Sequence, residues 1–212
     1  MKDSGEKKNL TRERYDRIAP WYDFFEGPME WLKFRGWRKR LLGRISGENV
    51  LEAGVGTGKN LPYYPAGERP VAVDLSFKML ERARKRAKGL SMGAPLIQMD
   101  IQHMGFNDNR FDMVLATFVF CSVPDPVEGL REMRRVCRPG GRLLLLEHMR
   151  PENPLLGALF DLMNPLTKRI TGADINRRTI DNIRKAGWKI RKEEKLFLDI
   201  VRLIEAEPEE TR

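Results

Sequence analysis

The stretch that decides the fold is NVLEAGVGTGKNLPYYP, which occupies residues 49–65. A short apolar run carries one acid, Glu52, near its end, and three glycines follow within five residues: Gly54, Gly56 and Gly58. Glycine adopts backbone conformations that other residues avoid, and it lets a ligand approach the main chain closely. The free N–H groups of such a turn can also bind the ligand. The stretch therefore predicts a buried strand that leads into a ligand-binding turn.

The chain beyond this turn alternates between apolar runs and segments with helical spacing. The runs are PVAVDLS (70–76), APLIQMD (94–100), RFDMVLATFVF (110–120) and RLLLLEH (142–148). The helical segments are FKMLERARKRAKG (77–89), which Ser76 can cap, PVEGLREMRRVC (126–137) and RRTIDNIRKAGW (177–188). Two closing strands are predicted at WKIRKEEKLF (188–197) and LDIVRLIEAEP (198–208). Continuous apolar strands that alternate with helices are typical of an α/β fold, with a parallel sheet covered on both faces.

The composition limits the classes of protein and of partner. The 212 residues suit one domain, and the hydrophobic content of 41% suffices for a core. The net charge of +9 favours an anionic partner, namely nucleic acid, an acidic membrane surface or anionic small molecules, or else a charged, solvated surface. Two cysteines form no disulfide framework, which indicates a reducing, intracellular setting. We expect no signal peptide and no membrane span, so any membrane contact is predicted to be peripheral.

The chain divides into a polar, mobile tail at residues 1–14 and a single domain at residues 15–208. Within the domain, residues 15–45 hold three of the four tryptophans, at Trp21, Trp31 and Trp37. From Glu30 onward, aromatic and aliphatic residues recur at helical spacing with lysines and arginines between them. This region is predicted to be a lid that packs on the sheet, or a helix that lies in a membrane interface, or both. Residues 149–175 contain three prolines and an apolar run, and are predicted to be a substrate-side insertion.

Four acids stand where strands should end: Glu52, Asp74, Asp100 and Glu147. In an open parallel sheet ligands bind at the carboxyl ends of the strands, and Asp74 has the spacing of an acid that binds ribose hydroxyls. The glycine pattern is G-x-G-x-G rather than the G-x-G-x-x-G of dinucleotide sites, and no G-K-[ST] closes it. A carboxylate before the first glycine would repel a pyrophosphate and would tolerate an ammonium or a sulfonium, although Glu52 could instead cap the turn. The sequence therefore predicts a site for a nucleoside with a cationic part.

Five blocks together resemble a known family. The blocks VLEAGVGTG (50–58), VAVDLS (71–76), QMDIQHM (98–104), FDMVLATFVF (111–120) and RVCRPGGRLLLLEH (135–148) have the order and spacing of class I S-adenosylmethionine-dependent methyltransferases. The resemblance covers residues 15–208. It implies a Rossmann-like fold: a seven-stranded, mostly parallel sheet with an antiparallel last strand, helices on both faces and an N-terminal helical lid. It also implies S-adenosyl-L-methionine as cofactor and S-adenosyl-L-homocysteine as product.

The same resemblance assigns roles to individual residues. The loop would hold the methionine part of the cofactor, Asp74 the ribose and Asp100 the adenine. The full set of implied cofactor-binding residues is Glu52, Ala53, Gly54, Gly56, Gly58, Asp74, Leu75, Met79, Asp100, Ile101 and Thr117. The segment YDRIAPWYD (15–23) resembles the lid of the quinone and phospholipid methyltransferase branch. The candidate catalytic residues are Tyr15, Tyr22 and His148. His148, like His103, could be a base or only a polar loop residue, and the few histidines and cysteines argue against a metal site.

Three branches of the family share parts of this sequence, and all act on apolar or amphiphilic acceptors. The +9 charge and the apolar segment PLLGALFDLMNPL (154–166) favour phospholipid N-methylation, with phosphatidylethanolamine as acceptor, at the inner face of a membrane. S-methylation of small thiols and C-methylation of a quinone precursor remain alternatives, and a non-enzymatic cofactor-binding protein is the least favoured. TFVF (117–120) stands where RNA base methyltransferases carry a proline-rich tetrad, which argues against a nucleic-acid partner. The oligomeric state stays open.

Overall fold

The computed structural model describes residues 2–209, without the side chains of residues 2–4, 25, 26, 28, 29 and 31. Seven strands form one sheet in the order β3-β2-β1-β4-β5-β7-β6. Their bounds are Val50–Ala53 (β1), Val71–Asp74 (β2), Leu96–Gln98 (β3), Phe111–Thr117 (β4), Cys137–His148 (β5), Trp188–Phe197 (β6) and Val201–Pro208 (β7). Strand β7 runs antiparallel to both of its neighbours, whereas the first five strands pair in parallel. The predicted fold class, a mostly parallel sheet with an antiparallel last strand, is confirmed.

Helices cover both faces of the sheet. They are α1 (Lys2–Met29), α2 (Arg35–Leu42), α3 (Phe77–Gly89), α4 (Pro126–Val136), α5 (Pro154–Thr171) and α6 (Thr179–Lys185). A π-helical segment, Glu30–Phe34, joins α1 to α2, and a short 3₁₀ turn, Leu61–Tyr63, follows the glycine loop. The predicted cap of α3 is present, because the backbone N–H of Met79 donates to Ser76 Oγ over 3.1 Å.

Strand β5 shows how the sequence builds two hydrophobic layers. Its four consecutive leucines are all buried, and side chains along a strand point alternately to opposite faces. Leu143 and Leu145 pack in the cluster that includes Trp188, on one face of the sheet. Leu144 and Leu146 pack with Leu41 and Leu42 of α2 in a separate cluster. An uninterrupted apolar run is therefore the pattern that a strand covered on both faces requires.

Two segments differ from what we expected. Residues 2–14, predicted to be a mobile tail, lie in helix α1, where the Lys8 ammonium pairs with Asp100 at 3.2 Å and Thr11 reaches the central cavity. Residues 149–175, predicted only as an insertion, contain the 18-residue helix α5 (Pro154–Thr171), which Asn153 caps by accepting two backbone N–H groups. The role of residues 15–45 at a membrane stays a prediction, and the side chain of Trp31 lies outside the described residues.

Across residues 2–209, no helix combines the length and the apolar character needed to cross a membrane.

Glu147, at the end of β5, makes the stability of this fold depend on pH. Its side chain is fully buried, and Oε1 accepts the N–H groups of Val119 (2.8 Å) and Phe120 (3.2 Å). Burial raises the pKa of the carboxyl from about 4.5 to about 8. Between these values the folded state holds a proton that the unfolded state has released. This group therefore lowers the free energy of unfolding as the pH rises from about 4.5 to about 8.

We expect Glu147→Gln to remove this contribution, since glutamine keeps an acceptor for both N–H groups and does not titrate. Urea unfolding across this pH range should show a free energy that falls less steeply for the variant than for the parent protein. Glu48→Gln, at an exposed position, is the matched control and should keep the parent slope. Equal slopes for the parent and Glu147→Gln would show that Glu147 is ionised throughout.

Candidate active site

A cavity opens at the carboxyl ends of β1, β2 and β4, where the strand order reverses and where ligands bind in sheets of this kind. The glycine loop after β1 forms one side of the cavity. The ends of β2 and β3 contribute two acids, Asp74 and Asp100. Helix α1 covers the opening with Tyr15 and Tyr22, and the loop after β4 closes the remaining side with an aromatic ring, Phe118, and smaller side chains.

All three glycines of the loop have positive φ, but their surroundings require glycine for two different reasons. A side chain at Gly54 would overlap Val119, and a Cβ at Gly58 would lie 2.7 Å from Leu61 Cδ1 and 3.1 Å from the Cα of Ala83. Both positions therefore need glycine for packing. At Gly56 a Cβ would meet nothing within 4 Å, because this residue faces the open cavity. The backbone at Gly56 is thus the part of the loop that a ligand can approach.

Asp74 holds the loop in this shape. Its Oδ2 accepts the N–H of Gly56 and its Oδ1 accepts the N–H of Ser76, both over 2.8 Å. Burial raises the pKa of this carboxyl to about 6, against the opposing effect of these two hydrogen bonds. The side chain is half-buried and lines the cavity, so its remaining lone pairs can accept hydroxyl groups of a ligand.

Asp100 lies at the other end of the cavity. Its Oδ1 accepts the backbone N–H of Gln102 over 3.0 Å, and its Oδ2 pairs with Lys8. Burial favours the neutral acid, but the hydrogen bonds from Gln102 and the Lys8 ammonium outweigh it and lower the pKa. Between the two acids the wall is apolar and consists of Leu75, Met79 and Ile101. This end of the cavity suits a flat apolar ring with a polar edge.

Glu52 and Ala53, both predicted to bind the cofactor, lie behind the loop and are not among the residues that line the cavity. Glu52 is buried and accepts the Asn60 amide N–H over 2.7 Å and the Tyr64 hydroxyl over 2.9 Å. Burial raises the pKa of Glu52 to about 7. The structure therefore places this acid as a buried support of the loop, because Asn60 and Tyr64 take both of its oxygen atoms. Gly58 likewise lies behind the cavity surface.

Arg38 is a site residue that the sequence did not reveal. It is buried and lines the cavity, and its Nη1 donates to Asn60 Oδ1 and to Thr117 Oγ1, each over 2.9 Å. Its Nε donates to the carboxylate of Glu30 over 3.1 Å. A signal was present, because position 38 lies four residues after Phe34 and four before Leu42, on the buried side of the helix. An arginine among the lysines and arginines of this helix is more typical of its charged, solvated face.

The candidate catalytic residues occupy different places. Tyr15 and Tyr22 both line the cavity, and the Tyr15 hydroxyl lies 2.6 Å from Ser122 Oγ. His148 does not line the cavity, and its ring instead stacks on Phe118 with 6.4 Å between the ring centroids. Burial lowers the pKa of His148, which keeps the ring neutral, and its Nε2 has no hydrogen-bond partner among the described residues. The hydroxyls of α1 are therefore closer to the cavity than the histidine.

The arrangement as a whole fits a nucleoside that carries an amino acid. Asp74 can take ribose hydroxyls, and the apolar wall near Asp100 can take a base. The backbone at Gly56, together with the cations Arg38 and Lys59, can take a charged end group. This fits S-adenosylmethionine, whose base, ribose and amino-acid parts match these three regions.

Comparison with known proteins defines the class. A family model described as a methyltransferase domain matches residues 51–145. The ubiquinone/menaquinone biosynthesis C-methyltransferase UbiE of Ectopseudomonas mendocina is 33% identical over 195 residues, which cover 84% of this chain and 76% of that protein. The phosphatidylethanolamine N-methyltransferase of Cereibacter sphaeroides is 40% identical over 123 residues, which are 56% of this chain and 61% of that protein. The alignment thus spans less than two thirds of this second relative.

The fold agrees with these matches. A solved S-adenosylmethionine-dependent methyltransferase of Thermotoga maritima superposes with a TM-score of 0.72 at 19% identity, over 93% of this chain and 99% of that one. The fold and the site define a class I methyltransferase domain. The chain belongs to the S-adenosylmethionine-dependent methyltransferases, and it is an enzyme that uses S-adenosyl-L-methionine.

We expect Asp74→Asn to weaken cofactor binding by about 10- to 100-fold, since hydrogen bonds to a charged acceptor contribute about 1.5–3 kcal/mol. The variant also loses one of the two acceptors for the loop N–H groups. The dissociation constant for S-adenosylmethionine, measured by calorimetry, reports the effect. Asp112→Asn is a matched control, because Asp112 also accepts two backbone N–H groups, those of Glu48 and Asn49, away from the cavity. Asp112→Asn should lower the free energy of unfolding and leave the dissociation constant for S-adenosylmethionine unchanged. Equally weakened cofactor binding in both variants would contradict a direct role of Asp74.

Cofactor binding should also depend on pH through Asp74. As the pH falls through about 6, this carboxyl takes up a proton and loses its charge. We therefore expect the dissociation constant to rise between about pH 7.5 and about pH 5, because a neutral acid is the weaker acceptor of ribose hydroxyls. Calorimetry on Asp74→Asn should show a smaller rise, and the part that remains would come from Glu52, whose pKa of about 7 lies in the same range. A rise of the same size in the variant would assign it to another group.

Proposed function

We propose that the enzyme methylates the amine of phosphatidylethanolamine at a membrane surface. The observation that carries this proposal is the composition of the cavity wall beside Gly56 and Asp74, on the side covered by α1. Three aromatic residues, Tyr15, Tyr22 and Phe118, stand there with the small apolar side chain of Val119 and the hydroxyl of Ser122. Aromatic faces attract an ammonium or amine group, and the small side chains leave room for it.

In this proposal the glycine loop would hold the cofactor. Asp74 would accept the ribose hydroxyls, Leu75, Met79 and Ile101 would contact the adenine, and Asp100 would accept from the adenine amino group. Thr117 and Arg38 would bind the amino-acid end, and Asn60, Thr117 and Glu30 hold Arg38 in place. Glu52 acts from behind the loop, where its negative charge favours a cation in the cavity.

The cofactor supplies a methyl group on a sulfonium that is already activated toward a nucleophile. The protein therefore has to align the acceptor, exclude water and keep the acceptor nitrogen unprotonated. Removal of the acceptor from water favours its neutral amine form, whereas the aromatic faces stabilise the methylated ammonium that the transfer forms. The Tyr15 and Ser122 hydroxyl oxygens, 2.6 Å apart, can orient the amine through its N–H groups. His148, on the far side of Phe118, positions that ring.

C-methylation of a quinone precursor is the second candidate. It is supported by the UbiE relative, whose alignment covers more of both proteins than that of the phosphatidylethanolamine N-methyltransferase. The same aromatic wall can stack on a flat ring. Methyl transfer to a ring carbon needs a group that takes up the proton from that carbon, and the two carboxylates among the described residues that line the cavity, Asp74 and Asp100, serve the cofactor in this proposal. This difference favours the amine. S-methylation of small thiols stays a prediction.

An acceptor panel tests the proposal. The purified enzyme with radiolabelled S-adenosylmethionine is offered phosphatidylethanolamine in mixed micelles, a demethylated quinol and a small thiol. We expect label in N-methylated phosphatidylethanolamine, and a lower kcat for Tyr15→Phe with an unchanged dissociation constant for the cofactor. Tyr63→Phe, outside the cavity lining, is the matched control and should keep the parent kcat. Label in the quinol or the thiol alone would refute the proposal and identify the acceptor.

A further inference from the structure

Helix α5 turns its apolar side away from the protein. Of its 18 residues, all within the described chain, Gly157 alone is buried. Six large apolar side chains are between 45% and 84% exposed: Leu155, Leu159, Leu162, Met163, Leu166 and Ile170. At 3.6 residues per turn these six positions fall within an arc of about 100°. We call them the α5 stripe. A single exposed leucine is ordinary, but six large apolar side chains on one side of one helix form an apolar patch, and such patches mark interaction sites.

The opposite side of α5 is attached to the protein by polar contacts. Arg150 pairs with Asp161 at 2.9 Å, and Asp174 accepts from Asn164 at 3.1 Å and pairs with Lys168 at 3.0 Å. A Cβ at Gly157 would lie 2.6 Å from Arg150 Nη1, so the helix is also closely packed on this side. These contacts determine the orientation of α5 and keep the α5 stripe toward solvent.

The charges near the α5 stripe are mainly basic. Within α5 the one acid, Asp161, is paired with Arg150, and the last turn carries Lys168, paired with Asp174, and Arg169. Arg169 is exposed, and on the helical wheel it borders the α5 stripe. The whole chain has a net charge of +9, which opposes the approach of a second copy and favours an anionic surface. Aliphatic side chains beside a cation are the composition of helices that lie in the interface of an anionic bilayer.

The position of α5 connects this surface to the candidate active site. The segment after α5 is joined to the loop that closes the cavity: the Asp174 N–H donates to the Cys121 carbonyl over 2.8 Å, and Arg177 donates to the Val123 carbonyl over 2.9 Å. Val123 and its neighbour Ser122 line the cavity. A surface that holds α5 would therefore also lie near the loop that faces the acceptor.

We propose that the α5 stripe docks the enzyme on an anionic lipid bilayer, with its aliphatic side chains among the acyl chains and Arg169 at the headgroups. The bilayer is also the source of the acceptor, and this part of the inference rests on the proposed function. The docking itself needs only the exposed stripe and the charge beside it.

Sedimentation with vesicles tests the docking. The parent protein should bind vesicles of phosphatidylcholine with about one third phosphatidylglycerol. The double variant Leu162→Gln/Leu166→Gln should bind the same vesicles at least about ten-fold more weakly. Leu90→Gln/Leu198→Gln changes two exposed leucines outside α5 and should bind like the parent. Arg169→Glu should weaken binding to these vesicles and reduce its salt dependence. Parent-like binding by Leu162→Gln/Leu166→Gln, or no binding by the parent, would overturn the proposal.

Two further measurements separate this inference from its alternatives. All variants should keep the parent dissociation constant for S-adenosylmethionine, which shows that they are folded. Light scattering reports the oligomeric state, and a parent dimer that Leu162→Gln/Leu166→Gln converts to monomers, without vesicle binding by either, would assign the α5 stripe to a second copy. Vesicle binding without methyl transfer to phosphatidylethanolamine would support the docking and refute the proposed acceptor.

Discussion

The buried carboxylate of Glu52 is the constraint on which the candidate site depends. A carboxylate without hydrogen bonds is costly to remove from water, so the chain must bring donors to it. Asn60 and Tyr64 supply them from the segment after the glycine loop. Asn60 in turn bonds to Thr117 on β4 and accepts from Arg38 on α2. One buried acid thus fixes the relative positions of β1, the loop, β4 and α2, and with them the cation that faces the cavity.

This arrangement changes the interpretation of the acid before the glycines. As a sequence feature it indicated direct contact with a cationic ligand. In the structure both of its oxygen atoms are used inside the protein, and burial raises its pKa to about 7. The charge still acts on the cavity, because electrostatic interactions weaken slowly with distance where water is excluded. A cation in the cavity and an ionised Glu52 stabilise each other, so the acid can select for a positively charged ligand without contact.

The sequence predicted the parts of the fold that local patterns determine. The strands of the sheet, the helix Phe77–Gly89 and its Ser76 cap follow from apolar periodicity and from a hydroxyl at the right position. Arg38 could not be assigned, because its role arises from contacts with Asn60 and Thr117, which are distant in sequence. Helix α5 was missed for a different reason. Its apolar stripe is exposed among the described residues, and its internal Pro165 is more typical of a loop.

Helices α1 and α5 are attached to the sheet in ways that differ from the core helices, and this difference bears on how the site is reached. Helix α1 covers the cavity through polar contacts that are partly exposed, such as Lys8 with Asp100 and Asp23 with Arg86. Each such pair contributes little, because water competes for both partners. Lys8 pairs with Asp100 Oδ2, so a ligand that donates to this oxygen would compete with the lid. The closed lid is therefore held by many weak contacts, some of which a ligand can replace, whereas the apolar core beneath it stays fixed.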